Sequence, residues 1–187
     1  MPDNTRKIAF TAAFVALAVG GGFAEQIPNV EIVTMTVFLA GALLGPVSGL
    51  VAGILTAYLF SVLNPLGATP NSILIARILA WGICGAVAGV LPIRREVSIM
   101  SQIMLGAYGM LLTIVYQFLM AASYAISTNL NWNAVLANLA IGVWFSGLHV
   151  LSNTLIFAII LPILLQRLST LPVFQSRIAT TRSLTGK

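Results

Sequence analysis

The stretch Asn71–Glu96, NSILIARILAWGICGAVAGVLPIRRE, decides the fold. It opens with Asn71 and Ser72, either of which can cap a helix, and then stays apolar to Leu91 apart from Arg77. Pro92 and the charges Arg94, Arg95 and Glu96 end it. A helix rises 1.5 Å per residue, so about 20 apolar residues cross a hydrocarbon core of about 30 Å. This stretch therefore predicts a transmembrane helix over 72–91. The rest of the 187-residue chain agrees, with 59% hydrophobic and 7% charged residues and a mean hydropathy of +1.02. A soluble domain carries about 25% charged residues. The composition thus excludes an ordinary cytosolic enzyme, a disordered tail and a nucleic-acid-binding domain.

Working outward, similar apolar runs predict spans over 8–24, 32–44, 47–63, 98–124 and 134–165. The breaks are chemical. Gly45-Pro46 separates the second run from the third, because Gly suits the residue after a helix and Pro its first turn. Asn64-Pro65-Leu66-Gly67 is a turn by composition, and the polar segment Ser127–Asn133 divides the last two runs. The expected fold is an all-α integral membrane protein of six transmembrane helices in one domain, followed by a basic cytoplasmic tail over 167–187. A cleaved signal peptide ending near Gly22-Phe23-Ala24 is the rival reading of the first run. The second helix is short. About 13 residues rise about 20 Å, so it must borrow Pro28–Glu31, lie tilted among neighbours or be partly re-entrant, beside an outer cavity.

The charges give orientation. With six spans and both termini inside, the cytoplasmic segments hold Arg6, Lys7, Arg94, Arg95, Arg167, Arg177, Arg182 and Lys187, and only Arg77 lies elsewhere. The outer loops hold Glu25 and Glu31 with no Lys or Arg.

Chemistry-bearing motifs are few. Cys84 stands alone, which removes disulfides and CxxC sites, and it reads as a small core residue. A metal-contacting thiol paired with His149 is the weaker alternative. Ser146 and His149 are three apart on one helix but lack a nucleophile elbow or oxyanion loop, so catalysis is not expected. His149 and Asn153, at i and i+4, are expected to satisfy each other. No metal or cofactor is expected. The polar residues gather on the outer side instead: Glu25, Asn29 and Glu31, then Asn64, Thr69 and Asn71, then Asn129, Asn131 and Asn133. Arg77 is costly at membrane depth, so it snorkels or faces a partner, and Trp81 one turn on offers a cation–π contact. Tyr116, Met120 and Tyr124 form a stripe with Gln117 beside it, while Asn138, Gly142, Phe145 and His149 share a face. Asn29, Glu31, Asn64, Arg77, Trp81, Tyr116, Gln117, Tyr124 and Asn138 together make a candidate site for an amphipathic planar ligand. Ala9, Ala12, Ala13 and Ala16 are small residues at helix-contact spacing, as are Gly49 with Gly53 and Gly85 with Gly89.

These features resemble the substrate-binding component of an energy-coupling factor transporter. The residues carrying the resemblance are Ile27–Thr34 (IPNVEIVT), Phe38–Pro46 (FLAGALLGP) and Gly49–Gly53 (GLVAG). It implies a multi-pass protein of the bacterial cytoplasmic membrane that captures a vitamin or cofactor precursor outside, under the first loop. It also implies a partnership with a transmembrane coupling subunit, docked on Ala9, Ala12, Ala13 and Ala16, and with two cytoplasmic ATPases. The chain itself would not be an enzyme. No residue picks one vitamin over another. A non-transport assembly or structural subunit of a larger membrane complex is the competing class, and it leaves the outer polar cluster unexplained. Reporter fusions after Gly67 and after Arg95 should report opposite sides of the membrane; the same side for both defeats the six-span arrangement.

Overall fold

The computed structural model describes residues 3–24, 29–65, 67–91, 97–129 and 131–174. The described residues form helices and no strand. They are α1 (Asp3–Phe23), α2 (Val33–Leu44), α3 (Pro46–Val62), α4 (Asn71–Val90), α5 (Ile99–Thr128), α6 (Trp132–Leu155) and α7 (Leu161–Ser169). A π-helical turn, Ile156–Ile160, joins α6 to α7 without a loop. Four helical stretches are long and apolar enough to cross a membrane: Asn4–Phe23, Asn71–Val90, Ile99–Thr128 and Ala140–Ser169. Shorter apolar helices, α2 and α3, lie between the first two of them.

Local chemistry sets the boundaries. Gly45 takes φ of 110°, a conformation that β-carbon-bearing residues resist, and Pro46 follows as the first residue of α3. At α5, the Ser98 hydroxyl accepts from the Ser101 amide while the Ser101 hydroxyl accepts from the Ser98 amide, a reciprocal cap. Asn129 ends α5 in the left-handed region and Asn131 caps α6 through the Ala134 amide. The structure departs from the sequence reading in three places. Pro70 stands at the start of α4, so neither Asn71 nor Ser72 is the cap. The fifth helix runs on to Thr128, because Ser127 and Thr128 return their hydroxyls to the Tyr124 carbonyl and do not break the helix. The last helical run continues past 165 to Ser169, and beyond it Phe174 is buried with its ring edge-on to Phe10, 5.2 Å between centroids.

All twelve residues of α2 are buried, which is how a short apolar helix satisfies itself among neighbours. It can lie that deep because α2, α3 and α4 meet at glycines. A β-carbon on Gly41 or Gly49 would strike the Gly85 carbonyl, and one on Gly85 would strike the Gly49 carbonyl. Gly53 packs on the Trp81 backbone in the same manner, and Gly89 on Gly45 and Pro46. Bare backbones thus replace side chains at the crossing, and dispersion between close-packed helices holds it.

The inward stripe of the last helical run is strictly four-spaced: His149, Asn153, Phe157, Leu161, Leu165 and Ser169 are all buried. Four residues overshoot an α-helical turn by about 40°. The π turn lies within this stripe, just before Pro162, which has no amide to complete the ladder behind it.

Gly85→Ala should lower the thermal midpoint of the purified protein in detergent, as overpacking costs about 1–3 kcal/mol. Gly142→Ala meets nothing within 4 Å and should be neutral or slightly stabilising. Equal midpoints for the two variants would remove the glycine crossing as the determinant of packing.

Candidate functional site

Glu31 precedes α2 and is buried, with 8% of its surface exposed. A buried carboxylate needs donors or it must give up its charge. Three converge on it. The Thr34 amide, at the open start of α2, donates to Oε2 at 2.8 Å. Asn153 Nδ2 donates to Oε1 at 2.9 Å, and His149 Nε2 stands 3.4 Å from the same oxygen. Gln117 of α5 fixes the ring from behind, its Nε2 lying 3.0 Å from His149 Nδ1. An amide donating there leaves the imidazole proton on Nε2, facing Glu31. Asn153 also donates to Thr113 Oγ1 at 3.0 Å, and Thr113 passes its own proton to the Gly109 carbonyl at 2.7 Å. Beside this cluster, the Ser152 hydroxyl donates to the Asn29 carbonyl at 2.7 Å. Asn29 carries φ of 65°, which Asn tolerates better than most residues. The residues that lead into α2 are thereby fastened to α6, more than a hundred residues later in sequence.

A row of rings crosses the bundle at this same end. Phe23 stacks on Phe60 at 4.9 Å, and Phe60 meets Trp81 edge-on at 5.9 Å. Trp81 stacks on Tyr116 at 5.8 Å, and Tyr116 meets the His149 imidazole edge-on at 5.7 Å. The row links α1, α3, α4, α5 and α6. Arg77 lies with its guanidinium carbon 5.1 Å from the Phe60 ring centroid and donates from Nη1 to Ser61 Oγ at 3.1 Å. The cation–π partner is therefore Phe60, not the expected Trp81.

A cleft of about 1000 Å³ opens between α5 and α6. Met120 and Tyr124 of α5 line it with Gly142, Ser146 and Val150 of α6, and Gln117 belongs both to this wall and to the His149 contact.

The nine residues proposed from sequence thus divide. Glu31, Trp81, Tyr116 and Gln117 join the cluster or the ring row, Arg77 flanks that row, and Asn29 joins through its carbonyl. Tyr124 belongs to the cleft, half exposed. Asn64 closes the α3–α4 turn, accepting from the Gly67 amide through its carbonyl. Asn138 is in α6, but its side chain lies outside the described residues. Glu25 and Gln26, and with them the cavity expected beside that loop, are also outside them. His149 and Asn153 do not bond each other; both turn to Glu31. They belong to the site, with Thr113, Ser152 and Phe60. An ionisable His and an amide one turn apart in an apolar helix, with one acid near a span, were the signal for them. Ser146 points into the cleft wall and makes no bond with His149. The Cys84 thiol is buried, 3.6 Å from the Thr34 carbonyl. Among the described residues no three His, Cys, Asp or Glu side chains gather as a metal site would require.

Comparison of the chain with family profiles, curated proteins and solved structures returns no match.

A double-mutant cycle on Glu31→Ala and His149→Ala tests the cluster. Each single change should cost about 2–4 kcal/mol, because each strands a buried polar partner. The pair should fall short of additivity by at least about 1 kcal/mol, measured as unfolding free energy in detergent. Strict additivity would mean the two side chains do not couple.

Proposed function

We propose that the protein is the substrate-capture subunit of an energy-coupling-factor-type importer in a bacterial cytoplasmic membrane. In this reading six helices cross the bilayer with both termini inside, α2 and α3 being short spans within the bundle. A vitamin or cofactor precursor binds at the Glu31 end, and a transmembrane coupling subunit with two ATPases supplies the energy. The observation that carries the reading is the fastening of Asn29–Glu31 to α6 through Ser152, Asn153 and His149. A chain entry into α2 held by a few side-chain bonds, at the end of the bundle where the rings lie, suits the capture of a planar ligand.

The far end supports it. Ala9, Ala12, Ala13 and Ala16 are all exposed on α1, while Phe14, Val15, Ala18 and Val19 of the same helix face the core. A membrane-embedded stripe of small residues left exposed among the described residues leaves room for a partner helix at close range.

Ala13→Trp should abolish uptake and co-purification of the coupling subunit, while native mass spectrometry still finds a small molecule on the variant. Assembly that survives Trp at position 13 would defeat the docking face. A parent protein that carries no small molecule and purifies with an unrelated membrane complex would instead favour an assembly subunit.

A further inference from the structure

The polar groups at the Glu31 end are unevenly satisfied, and the imbalance points to a ligand chemistry. The Glu31 carboxylate is taken by Thr34, His149 and Asn153. Thr56 Oγ1 and Asn153 Oδ1 lack a partner too, but on α4 the reverse of the carboxylate's case holds: among the described residues Arg77 Nε and Trp81 Nε1 are buried and find no acceptor. Both groups are donors only, so what they lack is an acceptor. Trp81 is 4% exposed, and Arg77 is half-buried. The two residues stand one helical turn apart on the same side of α4. Both touch Phe60, Arg77 at 5.1 Å from the ring centroid and Trp81 edge-on at 5.9 Å. Arg77 spends one proton on Ser61 Oγ. Among the described residues no carboxylate lies within ion-pair range of it.

We infer that Arg77 and Trp81 together receive a carboxylate carried by a planar ligand, the guanidinium and indole N–H groups meeting its oxygens beside the rings of Phe60 and Tyr116. This rests on the capture reading above and adds the ligand's chemical class to it. A guanidinium matches a carboxylate in charge and in planar geometry, and an indole N–H adds direction. A lipid phosphate offers anionic oxygens too, but it lacks the flat ring that the row of aromatics suits.

The test uses the full chain in nanodiscs, with radiolabelled benzoate and nicotinate as probes in equilibrium dialysis. In phosphatidylcholine discs both should bind, and the size-matched amides benzamide and nicotinamide should compete at least about tenfold less well. Arg77→Gln should weaken binding about tenfold or more and Trp81→Phe severalfold, one lost hydrogen bond to a buried charged group being of that order. Trp144→Phe, at a position 80% exposed, should change nothing. Equal competition by acid and amide overturns the inference without any variant. So does parent-like binding by both Arg77→Gln and Trp81→Phe, or the absence of any carboxylate binding to the folded parent. Loss of probe binding on adding phosphatidylglycerol to the discs would assign the site to a lipid headgroup. A retained native small molecule with no acidic group would remove this inference and leave capture standing.

Discussion

The buried carboxylate of Glu31 organises one end of this molecule. Glu31 cannot be left unpaired in an apolar bundle, and its own neighbours in sequence supply only the Thr34 amide. The remaining donors come from α6, itself steadied by Gln117 and Thr113 of α5. The chain is therefore closed on itself across α1–α2, α5 and α6 by polar bonds. The glycine crossing of α2, α3 and α4 holds the other half by apolar contact. These two kinds of cohesion differ in consequence. Close-packed backbone has one arrangement, whereas a few side-chain bonds can be exchanged for bonds to something else.

That contrast also accounts for the distribution of open space. The α2–α4 crossing leaves no room for a β-carbon, while between α5 and α6 there is a cleft in which Gly142 and Gly147 meet no neighbour. The beginning of α6 is correspondingly exposed, with Trp132, Ile141 and Trp144 all more than 70% accessible. Only from His149 onward does the helix join the core. The cluster marks the point where the loosely held part of α6 becomes the tightly held part.

Much of the helical framework was legible because it follows from local rules: apolar runs of fixed rise and the Gly45-Pro46 break. Helix ends were misread where serine and threonine hydroxyls turned back to their own backbone at 127 and 128, so that polar composition masqueraded as a loop. The candidate site was half legible. Glu31, Arg77, Trp81, Tyr116 and Gln117 stood out as polar or aromatic residues in apolar surroundings. Their partners did not, since a pairing rule at i and i+4 joins His149 to Asn153, and nothing local says that a glutamate 118 positions earlier outbids it. The same holds for Arg77, whose nearest ring along the helix is Trp81 but whose ring in space is Phe60 on α3.

The π turn at Ile156–Ile160 has a bearing on how this chain can diverge. Such a turn accommodates one residue more than an α-helix would over the same height. Excising a single residue there would restore α-helical winding over the same height, because the turn has already absorbed its extra residue. The helices α6 and α7 would keep nearly their present facing, with His149 and Asn153 still on Glu31 and Leu161 and Leu165 still seated. Only a further loss would become a change of phase, at about 100° of azimuth per residue of α-helix. Relatives of this chain would be free to change side chains along the turn or to lose its one extra residue, but not to lose another without choosing a new partner for the carboxylate.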